Sequence, residues 1–182
     1  MKSQLGKKNL AGLLIKDSPV GPLFITTGRS GISKLKFCDD EEITYLLMDY
    51  GSKSNEQGFE ILERAEMQLN EYFNGKRMQF DLPVDILGET VFTQRVLEKV
   101  MNIPFGSVLS YGAVAGLTGN PESARAVGGA VARNPIPIII PCHRVVSSRN
   151  ELHGYSAPGG IGLKAKLLKH EGVLLDKDRV IT

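Results

Sequence analysis

Residues 120–146, NPESARAVGGAVARNPIPIIIPCHRVV, constrain the fold more than any other stretch of the chain. Pro121 suits the first turn of a helix, Asn120 is placed to cap it, and Glu122 favours the positive end of the helix dipole. Asn134-Pro135 then stops that helix. Between these limits the helix is nearly bare: Ala124, Ala126, Gly128, Gly129, Ala130 and Ala132, with Arg125 and Arg133 its long side chains after Glu122. Two adjacent glycines each cost about 1 kcal/mol relative to alanine inside a helix. A neighbouring helix or a ligand must therefore come close to this backbone. Beyond the stop, IPIII reads as a short buried strand, and Pro141 fixes the main chain just before Cys142.

A thiol entering from an apolar run has a raised pKa and is inert unless something ionises it. His143 and Arg144 are the groups at hand. Neighbours in an extended chain point to opposite sides, so His143 is expected to reach Cys142 through a turn or a bridging water. A base also needs an orienting group. Glu171, closing the helix LKAKLLKHE and followed by Gly172, is the most suggestive carboxylate. Spacing alone leaves open whether the three meet.

Ahead of this region, TVFTQRVLEKVMN reads as a helix with Phe92, Val96 and Val100 on one face, ended by Ile103-Pro104-Phe105-Gly106. VLSYGAVAGLTG reads as a shorter helix closing at Gly119. A helix, a short turn with Gly and Asn, and a second helix make a helix-turn-helix pattern. The first half differs in kind. NLAGLLIKD, GPLFITT and GISKLKF are short apolar runs between turn signals, as in an antiparallel meander. EILERAEMQLNEYF then sets Leu62, Ala65, Leu69 and Tyr72/Phe73 on one helical stripe, and KRMQFDLPVD reads as a last strand running into a linker at 81–89. The reading is an α+β chain: a meander with a helix over 1–85, then a mainly helical, winged-helix-like domain over 86–182.

Charge separates the halves too: the net +2 divides into −2 over 1–85 and +4 over 86–182, favouring a polyanion partner for the second. No apolar run approaches the ~20 residues of a membrane helix. MKSQLGKKNL lacks the apolar stretch of a secretory signal, and two cysteines in unlike contexts make no disulfide framework, so a reducing cytoplasm is expected. Cys38, Cys142, His143, His153 and His170 are scattered, which argues against metal. The GxxxxGK[ST] phosphate loop and the papain-type cysteine signatures are missing, and Cys38 reads as a small strand residue.

The run IPFGSVLSYGAVAGLTGNPESARAVGGAVARNPIPIIIPCHRVV, with GY at 154–155 and KLLKHEG at 166–172, resembles the O6-alkylguanine-DNA alkyltransferases. The likeness extends over about residues 88–173, and the first half is similar in outline. It implies irreversible transfer of an alkyl group from O6 of guanine in duplex DNA to the protein's own cysteine, after the damaged base is flipped out. On matching positions Cys142 is the acceptor, His143 its base through water, Glu171 the orienter of His143, and Asn134 the hinge asparagine. Tyr111 would turn the phosphate and donate to guanine, and Arg125 would fill the vacated stack. Ala124, Gly128 and Arg133 would meet DNA, the bare helix lying in the minor groove. Tyr155, Ser156, Pro137 and Val145 would line the pocket. The resemblance implies no cofactor and no metal, a monomer in solution with cooperative binding on DNA as an open point, and O4-alkylthymine as a second substrate. The loop GYSAPGGIGLK is longer than is usual in relatives, and Leu97 replaces a common tryptophan, a change of packing. Two rivals are a lesion sensor of the alkyltransferase-like kind, which lacks the acceptor cysteine, and a plain winged-helix DNA binder in which Cys142 is core.

Overall fold

The computed structural model describes residues 11–39, 41–44, 46 and 56–181. The chain divides into two compact units, Met1–Ile86 and Leu87–Thr182.

In the first unit the apolar runs form strands β1 (Gly12–Ile15), β2 (Leu23–Thr27) and β3 (Ile32–Phe37), an antiparallel meander in that order. Every residue of β2 is buried, as a central strand requires. Helix α1 (Glu56–Phe73) packs on the sheet with Leu62, Ala65, Leu69 and Tyr72 fully buried. Phe73, expected on that stripe, is half-buried.

The expected last strand does not form. Residues 76–85 bend at Met78–Gln79 and make no ladder, with Val84 alone bridging Ile32. Pro83 has no N–H to continue a ladder; instead its carbonyl accepts from Ile32 N at 2.8 Å while Asp85 N donates to Ile32 O at 2.7 Å. Buried Gln68 holds the segment from the other side, donating to Asp81 O and accepting from Asp81 N. The Asp85 carboxylate accepts from Arg29 N at 2.7 Å and Ser30 N at 3.3 Å. The segment is thus a clasp over the β2–β3 turn.

In the second unit, α2 (Val91–Met101) starts where Thr90 Oγ1 accepts from Thr93 N. It buries Thr93, Val96, Leu97 and Val100, while Phe92 is only half-buried. The expected helix over 108–119 begins later: Leu109–Ser110 is strand β4, parallel to β5 (Val145–Val146), and Ser110 caps α3 (Tyr111–Leu117). Asn120 makes no side-chain cap; Pro121–Ser123 form a single 3-10 turn before α4 (Ala124–Ala132). Helices α3 and α4 pack on each other and on α2, giving the helix-turn-helix. Helix α5 (Gly160–His170) and a hairpin of β6 (Leu175–Asp176) and β7 (Arg179–Val180) complete the unit, around Val146, Leu152, Leu168, Val173 and Val180. The α+β reading holds.

A Cβ added at Gly31 would lie 2.2 Å from Pro83 O, whereas one at Gly88 meets nothing within 4 Å. Gly31→Ala should therefore destabilise the first unit by about 1–3 kcal/mol, and Gly88→Ala should not. Urea denaturation of both variants checks this; equal stabilities would refute the clasp.

Candidate active site

The run expected as a strand, IPIII, is a turn. Asn134, just beyond the end of α4, donates from Nδ2 to Ile140 O at 2.8 Å and accepts at Oδ1 from Ile136 N at 3.0 Å. One side chain thus holds both arms. At the apex Ile138 is fully buried with φ 73°, left-handed backbone that a β-branched residue rarely adopts. Such a conformation costs on the order of 1–3 kcal/mol and persists only where surroundings enforce it; here burial of Ile136, Ile138 and Ile140 and the Asn134 brace do so. Pro141, at φ −80° and ψ 63°, makes an inverse γ-turn, with Cys142 N donating to Ile140 O. Cys142–Arg144 then form one 3-10 turn.

That turn sends successive side chains in different directions. Cys142 is 5% exposed. Burial raises its pKa, opposed by the neighbouring polar groups of Asn134 and Tyr155 and by the Lys164 charge, all favouring the thiolate. His143 is fully buried, with Nε2 2.7 Å from Glu171 Oε1. Arg144 does not face the thiol, contrary to expectation. Its Nε donates to Glu171 Oε2 at 2.8 Å, Nη2 to Oε1 at 2.9 Å and Nη1 to Ile103 O, and its guanidinium stands 5.9 Å from the Phe105 ring centre. Gly106 N adds a donor to Glu171 Oε2 at 3.3 Å.

Burial alone would raise the Glu171 carboxyl, but hydrogen bonds from His143 and Arg144 outweigh it and hold the group down at about 2. An ionised carboxylate only accepts, so His143 Nε2 carries the proton. Burial lowers the imidazole pKa and keeps the ring neutral. His143 Nδ1 is then a bare lone pair, buried with no hydrogen-bond partner and able to accept a proton.

Two further groups converge here. Tyr111 opens α3 half-buried, its pKa raised by burial and by Cys142, so its hydroxyl stays protonated. Lys164, passed over in the sequence, is 1% exposed and donates from Nζ to Val145 O at 2.6 Å and His153 O at 3.0 Å. Its signal was a lysine sharing the apolar stripe of Leu167 and Leu168.

The remaining residues lie around this centre. Val145 is buried within β5, and its carbonyl is what Lys164 holds; Pro137 is half-buried in the braced turn. Ser156 is exposed and donates to Ala132 O at 2.9 Å, tying its loop to the end of α4. Arg125, Ala126, Ala132 and Arg133 are exposed on α4, and Ala124 half-buried. Gly129 shares that exposed face beneath the Arg133 guanidinium, whose Nη2 also reaches Thr93 Oγ1 at 3.4 Å. Gly128 instead faces the Tyr111 ring. Among the described residues no group of His, Cys, Asp or Glu is arranged to hold a metal ion, and no helix is long and apolar enough to cross a membrane.

The second unit is therefore a helix-turn-helix carrying a buried thiol–imidazole–carboxylate site. A family model described as 6-O-methylguanine DNA methyltransferase, DNA binding domain, matches residues 91–173, and one described as 6-O-methylguanine DNA methyltransferase, ribonuclease-like domain, matches residues 12–86. The methylated-DNA–protein-cysteine methyltransferase of Mycobacterium leprae is 39% identical over 91% of this chain and 92% of its own length. The Homo sapiens protein of the same name is 38% identical over 88% of this chain and 80% of its own. The crystal structure of Mycobacterium tuberculosis OGT in complex with DNA superposes with a TM-score of 0.72 at 36% identity, over 89% of this chain and 93% of that one. The chain belongs to the 6-O-methylguanine DNA methyltransferase family.

Both buried groups make the fold acid-sensitive. Glu171, held at about 2 against an ordinary 4.5, stabilises the fold above pH 4.5, and that contribution is lost as pH falls from 4.5 to 2. Unfolded His143 binds its proton near 6.5 while the buried ring resists, so stability also falls with pH below 6.5. Unfolding free energy should drop between pH 7 and 2, with the Glu171 share about 3 kcal/mol. Glu171→Gln should flatten the limb below pH 4.5; an unchanged limb in a folded variant would place the sensitivity elsewhere.

Proposed function

We propose that this protein repairs alkylated DNA by taking the alkyl group from O6 of guanine onto Cys142, in one irreversible event per molecule. Family membership supports the reaction class, DNA repair by alkyl transfer. The observation that carries the residue roles is the orphaned His143 Nδ1 beside a buried cysteine, its other nitrogen fixed by Glu171.

The alkyl carbon lies within the base stack, so the nucleotide must first swing out, at a cost of a few kcal/mol. The exposed face of α4 is the surface offered to the duplex minor groove. Arg125 in its first turn fills the gap left in the stack, and Ala124 and Arg133 meet the backbone at either end. The base then enters between the braced turn of Pro137 and the loop of Tyr155 and Ser156. Cys142 gives its proton to His143 Nδ1 through a bridging water. The sulfur attacks the alkyl carbon, the S–C bond forms as the C–O6 bond breaks, and the electron pair left on guanine is met by a hydrogen bond or proton from Tyr111. Asn134 and Tyr155 steady the thiolate. A thioether does not hydrolyse, so turnover ends there, and no cofactor is consumed. The protein acts as a monomer in the reducing cytoplasm, with double-stranded DNA as partner and O4-alkylthymine as a second substrate. The first unit has a supporting role.

Incubation with duplex DNA holding O6-methylguanine should raise the intact protein mass by one methyl, mapped to the Cys142 peptide and absent in Cys142→Ala. Lesion binding without mass gain would favour a sensor; no preference for the lesion would favour a plain DNA binder.

The glycines of α4 give a separate check. A Cβ at Gly129 would stand 3.5 Å from Arg133 Nη1, an ordinary contact. Gly129→Ala should therefore stabilise the helix by about 1 kcal/mol while weakening duplex binding several-fold. A more stable protein with unchanged DNA affinity would remove this face from the interface.

A further inference from the structure

We propose that Lys164 is a positioning residue for alkyl transfer, its buried ammonium serving as the counter-charge of the Cys142 thiolate; the proposal rests on the function argued above. A lysine head group this deeply buried is costly unless an anion answers it. Its partners are two neutral carbonyls, Val145 O and His153 O. Among the described residues no carboxylate lies within ion-pair reach of it. The nearby carboxylate, Glu171, already serves His143 and Arg144.

The groups facing Lys164 are few. From α3 the Tyr111 ring centre lies 6.0 Å from Nζ, and from the 3-10 turn Cys142 and His143 both feel its charge. From the loop before α5 the His153 carbonyl accepts from it at 3.0 Å. The charge favours the thiolate and disfavours the imidazolium. The anion that fits this cation is thus the sulfur in its reactive form. Total charge is also preserved. With a neutral thiol, Lys164, Arg144 and Glu171 sum to one positive charge, and moving the proton from sulfur to imidazole leaves that sum unchanged.

Burial brings the Lys164 pKa down to about 8, with the Cys142 charge opposing. The counter-charge should therefore fade as pH rises through 8, while the thiol alone would only gain reactivity. Wild-type alkyl transfer should rise with pH and then fall above about 8.

The test uses the full chain with Lys164→Gln, which keeps a donor but no charge, and Lys164→Met, which keeps neither. Iodoacetamide labelling of Cys142, followed by mass spectrometry across pH, reads the thiolate without any alkylguanine. In both variants, with folding verified by circular dichroism, the labelling profile should move up by at least one pH unit, about ten-fold slower at pH 7. Transfer from duplex O6-methylguanine should slow in parallel and lose its alkaline fall. A Cys142 profile unmoved in a folded variant overturns the proposal. Should neither variant fold, a wild-type transfer rate that keeps rising past pH 9 overturns it, and a fall near 8 supports it. Shifted labelling in a protein that never accepts a methyl from DNA would sink the repair function and leave the counter-charge standing.

Discussion

One buried carboxylate organises the second unit. Glu171 accepts from His143 Nε2, from two nitrogens of Arg144 and from Gly106 N, donors that come from the cysteine turn and from the loop after α2. The charge is taken out of water at a cost that only this many charge-assisted bonds offset. In return the imidazole tautomer is fixed, and the free lone pair follows from it. Removing Arg144 would leave an anion facing the imidazole with too few donors, and the ring would then tend to hold a proton and cease to be a base. Arg144 thus acts on the imidazole through Glu171.

The first unit shows how far pattern alone reaches. The stripe Leu62, Ala65, Leu69, Tyr72 and the three-strand meander were legible because periodicity is local and strong there. The segment 76–85 was not, because its apolar residues resemble a strand while Pro83 permits only a single bridge and the decisive partners, Gln68 and Asp85, are side chains. In the second unit Leu109–Ser110 read as helix because the parallel partner, Val145–Val146, lies far along the sequence.

The site was legible in its members more than in its geometry. Cys142, His143 and Glu171 were nameable from residue chemistry and resemblance, and of these His143 and Glu171 meet directly, at 2.7 Å. The directions were hidden, since a tight turn sends adjacent side chains apart and no spacing rule forecasts that Arg144 turns to Glu171. Ile138 in left-handed backbone was equally opaque: the sequence offers an isoleucine where glycine would signal the turn. Lys164 hid because a lysine on an apolar stripe ordinarily carries its head group out to water.

Ser156 joins its hydroxyl to the Ala132 carbonyl across 24 positions of chain. That one bond fastens the loop before α5 to the last turn of α4, so the stretch of chain that carries Cys142 is tied off at both ends. An exposed hydroxyl–carbonyl bond contributes only about 0.5–1.5 kcal/mol, because water competes for both partners. The fastening is therefore a light latch, whereas the carboxylate knot beneath it is locked away from solvent.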